Sequence, residues 1–174
     1  MIRSILIHPD PRLKKVCEPL PGVDDAARKL IDDMLDTMYD APGIGLAAPQ
    51  IGVTRRLLVM DVADAEAGEA PEPMALVNPE ILEASEEMRT HNEGCLSVPD
   101  VYYDVTRPAS VRVRYLDREG AERERAFDGL AATCVQHEID HLNGRLFIDY
   151  LGSIKRQMVT QKMRKLKRER ERAG

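Results

Sequence analysis

The segment Val111–Gly144, VRVRYLDREGAERERAFDGLAATCVQHEIDHLNG, changes its hydrophobic period once, and that change decides the fold class. In its first half Val111, Val113 and Tyr115 alternate with polar residues, Asp117 to Gly120 supplies a turn, and the alternation resumes toward Phe127. This pattern predicts a β-hairpin. After Asp128, a candidate N-cap, the apolar spacing becomes helical until Asn143-Gly144, a candidate C-cap. A hairpin running into a helix implies an α+β fold, with mostly antiparallel sheets packed around a central helix that carries CVQHEIDH.

Working outward, Ala27, Leu30, Ile31, Met34, Leu35 and Met38 recur at helical spacing from Asp24 to Tyr39, and Pro42-Gly43 ends the pattern. RRLLVMDV and ALVNPEIL read as strands, and ADAEAGEAPEP, Ala63 to Pro73, as a surface loop between them. At 174 residues and 43% hydrophobic content, the chain suits one catalytic domain over residues 1–174, with 152–174 as a basic C-terminal helix. No stretch has the length of a membrane span, so no membrane partner is expected. The start of the chain lacks a signal-peptide pattern, which predicts a protein beginning near Met1. Three cysteines, an odd and sparse set, argue against a secreted disulfide framework and for the reducing cytoplasm.

The net charge of -5 is unevenly placed. Residues 155–174 hold nine Lys or Arg against two Glu, a local +7 that leaves -12 on the rest. Such a tail is a solvated helix, with Ile154, Met158 and Leu166 expected to dock on the body. Its charge also suits an anionic contact such as RNA, and nothing in it specifies DNA.

On the motif helix His137 and His141 are one turn apart on one face, so their imidazoles can converge on a single ion, with Glu138 beside it. This is the H-E-x-x-H arrangement, in which the glutamate serves as base for a metal-activated water. A catalytic site of this kind needs a third protein ligand. Downstream of His141 there is no further histidine, and the nearest acid is Asp149. Upstream, EGCLSVP offers Cys95, with Cys17 and Cys134 as competing thiols; Cys134 is expected to line a pocket wall instead. His8 and His91 have no partner at ligand spacing and read as structural. Asp140 is either a surface acid or a group that orients a ligand histidine or pairs with a base such as Arg107.

Gly43 and Gly45 in GIGLAAPQ mark a sharp turn or a close approach, and no Lys-Ser/Thr follows to make a phosphate loop. Together, GIGLAAPQ (Gly43–Gln50), EGCLS (Glu93–Ser97) and QHEIDH (Gln136–His141) resemble the three motifs of the peptide deformylase family, and the layout from IHPDPRL onward is similar throughout. The resemblance implies removal of formate from the N-formylmethionine of nascent polypeptides. It implies Cys95, His137 and His141 as metal ligands and Glu138 as catalytic acid/base. By the same resemblance Gln50 and the Leu96 N–H hold the formyl oxygen, Gly45 pairs with the substrate backbone, and Ile44, Leu130 and Cys134 surround the methionine side chain. Fe(II) is the metal implied in the cell, with zinc, nickel or cobalt in preparations. The basic C-terminal helix is similar to one that docks on the ribosome.

Two other classes of function accommodate some of these residues. A metallopeptidase cutting internal bonds shares H-E-x-x-H but needs a downstream ligand that is missing. A ribosome- or RNA-binding module with a structural metal has no use for Glu138, since structural sites close with four protein ligands.

Overall fold

A computed structural model describes residues 1–174. Helix α1 (Asp25–Asp40) starts where the Asp24 carboxylate accepts the Ala27 N–H at 2.8 Å, which satisfies one of the free donors of the first turn. Seven strands follow: β1 (Gly45–Ala47), β2 (Leu57–Met60), β3 (Met74–Ala84), β4 (Met88–Cys95), β5 (Val98–Pro108), β6 (Ser110–Leu116) and β7 (Glu122–Asp128). Helix α2 (Gly129–Leu142) carries the H-E-x-x-H motif, and α3 (Ser153–Ala173) closes the chain.

The strands form a five-stranded sheet in the order β1-β2-β3-β6-β7 and a separate two-stranded sheet, β4-β5, all paired antiparallel. The expected hairpin is β6-β7, with Val111 opposite Phe127. Its turn is tied by Asp117 Oδ1, which accepts the N–H groups of Glu119 and Ala121, while Gly120 supplies the positive φ of 83° that a side chain would resist.

The uninterrupted run LLVM in β2 is explained by helices on both faces of the sheet. Leu58 and Met60 point to the α2 side with Val111, Val113, Tyr115 and Phe127, whereas Leu57 and Val59 join Ile31, Met34 and Met38 of α1. A third cluster packs Val98, Val101 and Val105 of β5 with Leu146, Phe147 and Ile148 and with Val159 and Met163 of α3.

Two local expectations change. Asp128 stands at the N-cap position of α2, but its side chain caps no N–H; the chain enters the helix through Gly129 at φ 53°. On α3, Ile154 and Met158 are 73% and 62% exposed, and the docking side is Val159 and Met163, with Leu166 packed beside them. The apolar residues of this helix are too few to fix its phase, so the surface it meets chooses the face.

Candidate active site

Helix α2 lies against β1, β2, β5, β6 and β7, and nearly all of its residues from Ala132 to Leu142 are buried. Its cleft face carries Leu130, Thr133, Cys134 and His137 at helical spacing. Cys95 reaches it from the end of β4, so the two-stranded sheet exists at the place where it delivers a thiol to α2.

One donor atom each from Cys95, His137 and His141 lies within 4.8 Å of the others, and Cys95 Sγ is 3.4 Å from His141 Nε2. Cys17 and Cys134 are not in this group, nor are His8 and His91. His8 is buried and bonded through Nε2 to Thr160 at 2.8 Å. His91 lines the cleft beside the site.

His137 Nδ1 donates to Glu93 Oε1 at 2.9 Å, because a carboxylate can only accept; this leaves Nε2 as the ring nitrogen that a metal can take. Glu93 in turn accepts from Nε and Nη2 along one edge of the Arg107 guanidinium, at 2.7 and 3.0 Å, and Arg107 Nη1 donates to Asp140 at 2.8 Å. Tyr150 donates to Asp140 at 2.7 Å and lies under the guanidinium, 4.9 Å from ring centre to Cζ. Burial works against the charges on Glu93 and Arg107. The hydrogen bonds outweigh it, lowering the Glu93 pKa and raising that of Arg107. Asp140 is thus the outer partner of Arg107. Glu93, inside the EGCLS stretch, has a role that sequence reading left unassigned; an acid one residue before the glycine of a ligand loop was the available signal.

Glu138 Oε1 and His141 Nδ1 are buried without a hydrogen-bond partner. Burial pushes the Glu138 carboxyl up to about 7, against the opposing effect of His137. Its carboxylate lies against β1 so closely that a Cβ on Gly45 would stand 2.5 Å from Glu138 Oε2 and 2.8 Å from Cys134 Sγ. A side chain at position 45 would therefore displace the Glu138 carboxylate and the Cys134 thiol.

Gln50 is fixed at both ends of its amide. Its Oε1 accepts the Ala47 N–H at 2.9 Å, and its Nε2 donates to Ser97 Oγ at 3.0 Å while lying 3.5 Å from Cys95 Sγ. The neighbouring Leu96 N–H is engaged by no carbonyl of the surrounding turns. Ile44, Gly45, Gln50, Cys95, Leu96, Leu130, Cys134, His137 and Glu138 all line one open cleft of about 620 Å³, whereas His141 lies fully buried beneath it. Two imidazoles and a thiolate, with a buried unpaired carboxylate oxygen beside them, suit a divalent ion of iron or zinc type. Fold and site together define an α+β hydrolase with a Cys-His-His metal centre.

The pattern of the family described as Polypeptide deformylase matches residues 2–157. A peptide deformylase of Mesorhizobium japonicum is 56% identical over 97% of this chain and 95% of its own length. The crystal structure of a peptide deformylase from Legionella pneumophila superposes with a TM-score of 0.89 at 48% identity, covering 99% of both chains. That of the Ehrlichia chaffeensis peptide deformylase in complex with actinonin gives 0.91 at 43% identity, covering 96% of this chain and 98% of the other. The chain belongs to the polypeptide deformylase family.

Proposed function

We propose that the chain hydrolyses the formamide of N-terminal formylmethionine on nascent polypeptides, releasing formate, with Cys95, His137 and His141 holding the required cation. Supporting this above all is the meeting of one thiol from β4 with two imidazoles from α2 beside the unpaired oxygen of Glu138, in a chain of this family. When bound, a divalent cation supplies an acidified water, its pKa moved from 15.7 toward roughly 7.

Glu138 receives the proton of the attacking water and returns it to the departing amine, one carboxylate serving as base and then as acid. The Gln50 amide, locked by Ala47 and Ser97, and the free Leu96 N–H meet the negative charge that grows on the formyl oxygen. The Leu96 N–H is already free, and the Gln50 amide gives up only its long 3.5 Å contact with Cys95 Sγ. Strand β1 is an edge strand, so the Gly45 backbone pairs with the substrate main chain. Ile44, Leu130 and Cys134 contact the methionine side chain.

Fe(II) is the resident metal in this reading, and zinc, nickel or cobalt fill the same donors in preparations. The substrate is met in the cytoplasm at the ribosome, which the outward basic face of α3 contacts. Removal of residues 167–174 tests that contact while sparing buried Met163 and half-buried Leu166. Salt-sensitive ribosome binding should weaken; unchanged binding overturns the contact.

The hydrolysis is tested with iron-loaded protein, a formyl-methionyl tripeptide and its acetyl counterpart. Formate from the first alone is the expected result. Internal fragments, or no release from metal-verified protein, overturn the reading.

A further inference from the structure

The cleft that receives the substrate's first side chain is not uniformly apolar. On α2, Leu130, Thr133, Cys134 and His137 share the cleft face, and the one hydroxyl among them is Thr133. Opposite runs β4, where Arg89, His91 and Glu93 project to one side by the two-residue alternation of a strand. Two contacts join these faces: Arg89 donates to Thr133 Oγ1 at 2.8 Å, and Glu93 accepts from His137 at 2.9 Å. His91 lies between them in sequence and on the same face, so its imidazole is brought to the turn of α2 from Thr133 to His137, where it lines the cleft.

Both polar groups have capacity to spare. The Thr133 oxygen accepts from Arg89, while its own O–H donates to no protein group, and His91 makes no side-chain hydrogen bond. The Cys134 thiol is turned toward the Ile44 carbonyl at 3.6 Å and offers no competing donor.

We propose that His91 and Thr133 determine specificity for the first side chain, by giving this pocket donors for a polar acceptor such as the oxygen of methionine sulfoxide. The inference rests on the deformylase reading and deepens it. In a wholly aliphatic wall a sulfoxide oxygen would be buried without a partner and the oxidised substrate rejected. With a ring N–H and a hydroxyl available, chains that begin with oxidised formylmethionine are processed within about tenfold of unoxidised ones.

The test compares kcat/KM of metal-loaded protein on formyl-X-Ala-Ser, with X methionine, methionine sulfoxide or norleucine. Wild type is expected to hold the sulfoxide within about tenfold of norleucine. In His91→Leu/Thr133→Val the sulfoxide-to-norleucine ratio is expected to fall at least tenfold further, through loss on the sulfoxide. A ratio unchanged in the double variant overturns the proposal, and so does a wild-type ratio below about one tenth, which needs no variant to fold. Failure of wild type on all three substrates, formyl-methionine included, instead overturns the deformylase reading beneath it.

Discussion

Glu93 and His137 are joined by a buried 2.9 Å hydrogen bond between strand β4 and helix α2, and the same carboxylate is gripped by Arg107. One acid therefore sets the tautomer of an imidazole in the candidate metal group and neutralises a buried guanidinium. These two tasks predict separable consequences.

Glu93→Gln keeps the shape but weakens the acceptor behind His137. Metal affinity should fall roughly 10- to 100-fold, read as faster loss to a chelator. Glu93→Ala strips Arg107 of its principal partner and should cost about 3–5 kcal/mol of stability. Equal chelator resistance in Glu93→Gln and wild type would show that His137 is oriented by packing alone.

Glu138→Gln should retain its metal and lose roughly 10²- to 10⁴-fold in turnover. Metal content and formate release measured on one preparation separate the two. A fully active variant would remove the proposed proton carrier.

Gln50→Glu preserves the oxygen that accepts from Ala47 and removes the amide donor. A loss of about 10²- to 10³-fold in kcat is expected. A change confined to KM would assign Gln50 to ground-state binding instead.

Gly45→Ala places a methyl group 2.5 Å from Glu138 Oε2, so the carboxylate or β1 must move. Overpacking of this kind costs about 1–3 kcal/mol, and the displaced carboxylate should lower activity as well. Normal melting with normal turnover would show that the cleft yields more readily than its spacing implies.

Asp33 gives an acid-stability prediction away from the cleft. Hydrogen bonds from Arg3 and the terminal ammonium hold its pKa down to about 2. A depressed carboxylate stabilises the fold above its unfolded value of about 3.9, and that contribution is lost as pH falls from there toward 2. Asp33→Asn should therefore flatten the loss of melting temperature across that interval. Parallel wild-type and variant curves would contradict it.

How much of this was legible in sequence varies with the range of the interaction. The β6-β7 hairpin, α1 and α2 were readable because alternation, helical spacing and turn residues are local signals. The β4-β5 sheet was only half visible. Cys95 is legible as a thiol but not as the end of a strand, since HNEG mixes polar residues with a glycine, and its partners are fixed by pairing with VPDVYYDV across a two-residue turn. Arg107 was legible only as one possible partner of Asp140. Its 4% exposure depends on an acid from the neighbouring strand, and no local pattern announces a buried guanidinium. On α3, Ile154 and Met158 looked like the docking residues, but hydropathy ranks side chains without saying which side of a mostly charged helix meets the body.

The two sheets share no hydrogen-bonded strand; the three donor atoms sit at the seam, one on the smaller sheet and two on the helix of the larger. An ion seated there would work as a rivet between two leaves as well as a reagent. Chelation should consequently loosen the β4-β5 leaf first, exposing its amides to solvent exchange before the larger leaf melts.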